Sequence, residues 1–263
     1  MVPLVVAAVA PWKHGVVFAV AIGAGFVNAI AGGGSLLTFP TLVWVGVAPV
    51  AASATNTVGL WAGNLGGVFG FRRHLPEQSL IVLFAVPSLA GGIVGAVLLL
   101  RTPQHVFEGL APVLVFLATV LLALQEPLSR RISGGAVPGA RRPRFAVAAV
   151  VFQFGVGIYG GFFGAGIGIM MLAALAILGL TDIHQMNGLK NVLTTAINGV
   201  AAVYFGARGA VLWTDAGLMA VGSVAGGLAA AALAQRLGRR LVRQAVIAIG
   251  VAASLSLLLK FLD

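Results

Sequence analysis

A lysine and a row of uncharged polar residues occur in a stretch whose remaining residues are typical of a membrane helix. In HQMNGLKNVLTTAIN (His184–Asn198), four polar residues recur at intervals of four, three and four and therefore share a helix face: Asn187, Asn191, Thr194 and Asn198. Lys190 lies about two turns into the stretch, where an ionisable side chain is costly enough to indicate function. A cation beside neutral hydrogen-bond donors is the chemistry of an anion site. The alternatives are hydrogen bonds between helices and a lysine side chain that extends to the membrane interface.

A second polar stretch, ASATNTVGLWAGN (Ala52–Asn64), lies in the first half of the chain. A shift of 135 residues aligns Asn56 with Asn191 and Thr55 with Lys190. The hydroxyl of Thr55 and the amide of Asn56 can donate hydrogen bonds without carrying charge. A site that both stretches form would therefore contain a single cation.

Glycines interrupt the apolar sequence just before each polar stretch, in AGGGSLLTFP (Ala31–Pro40) and in GGFFGAGIGIMM (Gly160–Met171). Inside hydrocarbon a broken helix is tolerated only where it packs in protein or lines a polar cavity. A helix that starts after the break would present free N–H groups and the positive end of its dipole, which favours an anion. Close packing of small residues is the alternative explanation. The residues that we predict to contact an anion are Asn28, Gly32, Gly33, Gly34, Ser35, Thr55, Asn56, Gly164, Gly166, Asn187, Lys190, Asn191 and Thr194.

Composition places the whole chain in the membrane class. Of its 263 residues 60% are hydrophobic and only 8% are charged, and the mean hydropathy is +1.07, values that soluble domains do not have. The net charge of +10 comes from basic residues in the loops between apolar runs, which indicates cytoplasmic loops rather than a nucleic-acid partner. The chain lacks cysteine, an HExxH motif and a GxxxxGK[ST] motif. The sequence therefore predicts no enzyme activity, no cofactor and no metal site.

The apolar runs divide into five and five around a polar linker, residues 125–144, that is rich in Gly, Pro and Arg. Similar glycine and asparagine spacings in the two halves indicate a duplication, with a first repeat at 1–124 and a second at 145–263. We expect an all-α polytopic membrane protein with about eight to ten spans. The apolar runs are 15–31, 36–46, 48–71, 79–100, 106–124, 145–164, 167–180, 184–207, 211–235 and 241–261.

The distribution of positive charge favours one topology over another. If every run crosses, and Lys190 is left out as an intramembrane residue, eleven Lys and Arg residues lie on the side of the linker and four on the other side, as the positive-inside rule requires. Five crossings per half make the repeats inverted, with both termini outside. A variant in which the short second runs re-enter the membrane keeps this orientation. If the first two runs of each half form one interrupted span, the count falls to ten against five.

The stretch GFVNAIAGGGSLLTFPTLVWVGVAPVAASATNTV (Gly25–Val58) carries a glycine run, a Pro-x-Leu and an Ala-x-x-x-Thr segment. In these motifs, and in size and duplication, the chain resembles the TauE/SafE sulfite exporter family, also called the toluene sulfonate uptake permeases. The resemblance implies transport of sulfite, thiosulfate, sulfonates or related small anions across a bacterial inner membrane. Two inverted repeats in one chain can enclose a complete pathway, so we expect a monomer or a homodimer. An anion channel or a carboxylate transporter of the same fold is the alternative.

Overall fold

The computed structural model describes residues 11–30, 33–71, 75–133, 143–177, 180, 182–233 and 239–262. Within these ranges the chain forms ten helices and no strand, as the sequence predicts. The helices are α1 (Pro11–Ile30), α2 (Ser35–Trp44), α3 (Pro49–Phe71), α4 (Gln78–Arg101), α5 (Gln104–Ser133), α6 (Pro143–Phe162), α7 (Ile167–Ile177), α8 (Ile183–Ala207), α9 (Trp213–Leu233) and α10 (Arg239–Leu262).

Two of the helices are too short to cross a bilayer. Helix α2 has 10 residues and α7 has 11, which at 1.5 Å per residue gives about 15 Å against a hydrocarbon core of about 30 Å. Helix α2 turns back along α1. The Lys13 ammonium near the start of α1 donates a 2.6 Å hydrogen bond to the carbonyl oxygen of Val45, just after the end of α2. The two helices therefore form a hairpin whose ends lie at the same end of the bundle.

Glycine is required at the breaks by backbone conformation. Gly33 has φ +91°, and Gly164 and Gly166 both have φ +79°, a region that side chains with a Cβ rarely adopt. These positive φ values let the chain reverse direction between α1 and α2 and between α6 and α7. Gly32 lies outside the described residues.

Helix α1 packs against α9 along a path of glycines. Gly222 lies beside Phe18, and Gly226 lies beside Ile22, where a Cβ would collide with the carbonyl oxygen of Ile22. The residue numbers on both helices rise together, so α1 and α9 run in the same direction. Backbones approach this closely only where small residues form the interface.

Helix α4 packs against α6 in the same manner. Gly91 lies beside Phe154, and Gly95 lies beside Ile158, again with no room for a Cβ. These helices are also parallel. Each of the two pairs joins a helix from the first half of the chain to one from the second half.

The two ends of the bundle can be named from these directions. We call the end at which α1 begins, α2 ends and α5 begins the distal end; it contains Lys13, Gly46 and Gln104. The other, at which α5 ends and α6 begins, is the linker end.

At the distal end, His14 of α1 and Asp215 of α9 are joined by a 2.7 Å contact between Nδ1 and Oδ1, and Asp215 is only 1% exposed. This contact fastens the first half to the second.

The outer surface of the bundle is apolar. Four of the described helices contain a segment long and apolar enough to cross a membrane: Trp12–Ile30, Gln78–Arg101, Gln104–Gln125 and Arg240–Leu262. Large aliphatic and aromatic side chains such as Val113, Phe116 and Leu255 point away from the protein on these segments. An apolar exterior of this extent is suited to lipid rather than to water.

Candidate functional site

Both glycine-rich breaks reach one cavity of about 170 Å³, which we call the central cavity. Gly33 and Ser35 approach it from the first break, and Gly164 and Gly166 approach it from the second. Helices α1, α3, α5, α7 and α8 also contribute to its wall. Segments more than a hundred residues apart in sequence therefore meet at one site.

Two helix N-termini face the central cavity. Ser35 is the first residue of α2, and Ile167 is the first residue of α7; both line the cavity. The helix dipole adds about half a positive charge at this end of a helix, while the N–H groups of Leu36 and Ile169 in the two first turns already donate to the carbonyl oxygens of Gly33 and Gly166. Two such ends at one cavity create a positive potential without a charged side chain.

Lys190 supplies a full positive charge to the same cavity. Its Nζ donates a 3.1 Å hydrogen bond to Oδ1 of Asn187, one turn earlier in α8. Gly168 at the start of α7 makes room for its aliphatic stem, because a Cβ there would lie 3.2 Å from Lys190 Cδ. No acidic residue occurs among the described residues that line the cavity. Its net electrostatic character is positive.

Asn28 is oriented by the first break. The N–H of Gly34 donates a 2.7 Å hydrogen bond to Oδ1 of Asn28, so the side-chain oxygen is occupied. The NH₂ group of Asn28, which can only donate, is the part left for a ligand in the cavity that Asn28 lines. Asn56 is similar, since its Oδ1 accepts a hydrogen bond from the hydroxyl of Thr38. Both amides are therefore arranged as donors.

Most of the residues predicted from sequence meet at the central cavity. Those that line it are Asn28, Gly33, Ser35, Asn56, Gly164, Gly166, Lys190, Asn191 and Thr194.

Three predicted residues do not line the cavity. The N–H of Gly34 donates a hydrogen bond to the side chain of Asn28, and Oδ1 of Asn187 accepts a hydrogen bond from Lys190. Thr55 is fully buried, and its Oγ1 accepts a 3.0 Å hydrogen bond from the N–H of Leu212. Thr55 therefore fastens α3 to the turn before α9, which is the helix-to-helix role that polar residues commonly have in membranes.

Other polar residues line the cavity although the prediction did not include them. They are Thr57, Asn64, Gln125 and Asn198. Asn198 belongs to the same helical stripe as Asn191 and Thr194, as its spacing in the sequence indicates. Gln125 was assigned to the linker, but α5 continues through Ser133 and carries Gln125 on its inner face.

Comparison with known proteins gives the family of the chain. The family described as "Sulfite exporter TauE/SafE" matches residues 17–257. The chain belongs to this family. This TauE/SafE protein is 29% identical over 251 residues to "Probable membrane transporter protein YfcA" of Escherichia coli K12, covering 95% of this chain and 91% of that protein. It is 28% identical over 234 residues to a "Probable membrane transporter protein" of Haemophilus influenzae, covering 88% and 89% of the two chains.

A third relative of this TauE/SafE protein is "Probable membrane transporter protein ORF9" of a Sinorhizobium species, 26% identical over 245 residues, with 92% and 90% of the two chains covered. No solved structure matches the chain significantly. The family resemblance drawn from the sequence is thus confirmed, and with it the assignment as a multi-pass membrane transporter.

Proposed function

We propose that this protein is a secondary transporter that moves small sulfur-containing anions, such as sulfite, thiosulfate or sulfonates, across the bacterial inner membrane. The observation that carries the proposal is the convergence of two helix N-termini and Lys190 on one cavity with no described acidic lining. Paired interrupted helices at a shared cavity are typical of secondary transporters. A volume of about 170 Å³ suits an anion of a few heavy atoms.

The bound anion would be held by three kinds of group. The positive ends of the α2 and α7 dipoles would face it, the Lys190 ammonium would neutralise it, and the amides of Asn28, Asn56 and Asn191 would donate hydrogen bonds. Each of these groups is a donor or a positive charge. Oxyanions of sulfur present several acceptor oxygens at once, so they can satisfy donors that arrive from different sides.

We further propose that residues 1–124 and 145–263 are inverted repeats, connected by a basic cytoplasmic linker at 125–144. The hairpin of α1 with α2 has a counterpart in the break between α6 and α7, and the parallel pair α1–α9 has a counterpart in α4–α6. Transport would follow from one group of helices rocking against the other around the central cavity. Because residues from both halves of one chain meet at the cavity, we propose that a monomer is sufficient for transport, also where two copies associate.

The coupling of transport has two candidate sources. The anion gradient and the membrane potential could drive transport alone, or a proton could accompany the anion by way of His184. Histidine is the side chain that titrates nearest to neutral pH. The side chain of His184 lies outside the described residues. Transport by His184→Gln with its pH dependence unchanged would exclude the second source.

Uptake into proteoliposomes tests the substrate class. Purified protein is reconstituted, and uptake of labelled sulfite, thiosulfate, sulfate, taurine, acetate and chloride is compared with uptake into protein-free vesicles. We expect at least one sulfur anion to be taken up and Lys190→Ala to abolish that uptake. Uptake of acetate alone would favour a carboxylate transporter of the same fold.

Counterflow separates a carrier from an anion channel. Vesicles preloaded with unlabelled anion should transiently accumulate labelled anion above equilibrium if the protein is a carrier, because bound anion is exchanged across the membrane. A channel gives no accumulation and no saturation. A panel without any transported sulfur anion would contradict the proposed substrate class.

A further inference from the structure

A second and larger cavity, of about 370 Å³, lies at the distal end of the bundle. Its wall includes Gly46, Pro49, Gln104 and Lys260, which lie at or next to helix ends. We call it the distal cavity. It is amphipathic, since polar and charged residues (Gln104, Glu108 and Lys260) line it together with aliphatic residues such as Val43 and Leu257.

The two cavities lie on the same helices, one after the other. On α2, Ser35 lines the central cavity and Val43 lines the distal cavity. Phe39 lies between them at intervals of four residues, so all three occupy one face of α2. On α5, Ala111 lines the distal cavity and Ala118 the central cavity, a separation of about 10 Å along the helix.

Three phenylalanine rings lead from one cavity to the other, and we call them the aromatic layer. Phe163 lines the central cavity, Phe39 lies between the two cavities on α2, and Phe107 is next in sequence to Glu108, which lines the distal cavity. The ring centroids of Phe39 and Phe163 are 5.1 Å apart and those of Phe39 and Phe107 are 6.4 Å apart, both in edge-to-face geometry. The three side chains are 1%, 0% and 3% exposed for Phe39, Phe107 and Phe163. The three rings are therefore packed as closely as side chains in a protein core.

Phe163 belongs both to the aromatic layer and to the wall of the central cavity. It lines the central cavity, and the next residue, Gly164, has a positive φ of +79° at the break before α7. A change in the backbone at this glycine would move the Phe163 ring directly. The ring is therefore placed where a small rearrangement of the second break would open or close the layer.

We propose that the distal cavity is the second mouth of the transport pathway and that the aromatic layer is the barrier between it and the central cavity. The structure then represents a state that is closed towards the distal end. A constriction of apolar rings excludes an anion because the anion would lose its hydration shell without compensating donors. The inference rests on the proposed function only in naming an anion as the transported species. The barrier itself is a property of the fold.

Single-cysteine labelling tests the barrier, because the native chain contains no cysteine. Thr57→Cys reports on the central cavity and Ala48→Cys on the distal cavity. The probe is the membrane-impermeant cation 2-(trimethylammonio)ethyl methanethiosulfonate, added from one side of sealed vesicles of known orientation. A cationic probe is not carried by an anion transporter, so its access reports the barrier and not transport.

With the layer intact, we expect the probe to reach Ala48→Cys from the distal side and to leave Thr57→Cys unmodified from that side. Combining Thr57→Cys with Phe163→Ala should raise labelling from the distal side at least about tenfold, which requires the barrier to fall by only about 1.4 kcal/mol. The matched control is Phe84→Ala, which removes an equally buried ring from a separate core cluster. Phe163→Leu repeats the test with a smaller loss of volume if the alanine variant does not fold.

Rapid labelling of Thr57→Cys from the distal side with the layer intact would overturn the proposal. Equal labelling rates in the Phe163→Ala, Phe163→Leu and Phe84→Ala backgrounds would overturn it as well. No substrate is used in these measurements. A failure here is thus distinguishable from a failure of the proposed substrate class, which the uptake panel alone decides.

Discussion

The charge of Lys190 provides the sharpest quantitative test of the central cavity. Lys190→Gln removes the charge and keeps a side chain that can reach Asn187. An anion in contact with Nζ, at about 4 Å, gains about 4 kcal/mol at an effective dielectric constant of 20 and about 1 kcal/mol in bulk water. Lys190 is half-buried, so solvent screens part of this attraction and the loss should fall between the two limits.

Each 1.4 kcal/mol is a factor of ten in the dissociation constant. We therefore expect Lys190→Gln to weaken anion binding by about tenfold to several hundredfold. Isothermal titration calorimetry on detergent-purified protein measures this directly, with the anion that the uptake panel identifies. Raising the ionic strength should weaken binding to the native protein more than binding to the variant, because only the native site loses an attraction to screening.

Lys260→Gln is the matched control. It removes the same charge from the distal cavity, at the opposite end of α10 from the linker, and should leave the equilibrium affinity of the central cavity unchanged. A change of less than about threefold in Lys190→Gln would mean that the ammonium does not face the anion. Equal losses in both variants would point to a general effect of net charge and would refute the assignment of Lys190 to the site.

Two further substitutions test the architecture and the site. Gly226→Ala forces α9 away from Ile22, so overpacking should lower the free energy of unfolding by about 1–3 kcal/mol and lower the melting temperature with it. Gly227→Ala, whose Cβ would lie 4.0 Å from the nearest atom, should leave the melting temperature unchanged. Equal melting temperatures in the two variants would contradict the α1–α9 contact. Asn28→Asp keeps the acceptor for the Gly34 N–H but adds a negative charge to the cavity, so anion affinity should fall at an unchanged melting temperature. Unchanged affinity on titration would place Asn28 away from the anion.

Much of the fold could be predicted because membrane helices are specified locally. A span needs only a long apolar run, and the observed helix bounds agree with the predicted runs to within a few residues at most ends. The short helix α2 could not be assigned uniquely, because ten apolar residues are compatible with a crossing, a re-entrant segment or half of an interrupted span. The contact of Lys13 with Val45, which depends on folding, gives the direction of α2.

The residues of the site also divide into those that local sequence identifies and those that only folding places. Lys190, Asn191 and Thr194 could be found because one helix presents them on one face, and this spacing is visible in the sequence. Thr55 appeared equivalent to Lys190 by internal alignment, yet it faces Leu212 and not the cavity. Which face of a helix meets a cavity depends on how the adjacent helices pack against it. In a mostly apolar chain the buried and lipid-facing sides of a helix have similar residues, so the sequence does not reveal this packing.

The sequence by itself determined the membrane class, the ten segments, the positions of the two breaks and the presence of one cation in the second polar stretch, because each of these depends on composition or on spacing within one segment. The tertiary structure alone decided that the two breaks share a cavity, that the side-chain oxygen of Asn28 accepts the N–H of Gly34, and that the rings of Phe107 and Phe163 both contact Phe39. Those facts depend on contacts between residues far apart in the chain. Phenylalanines at such separations look like any other apolar residues until packing brings their rings together.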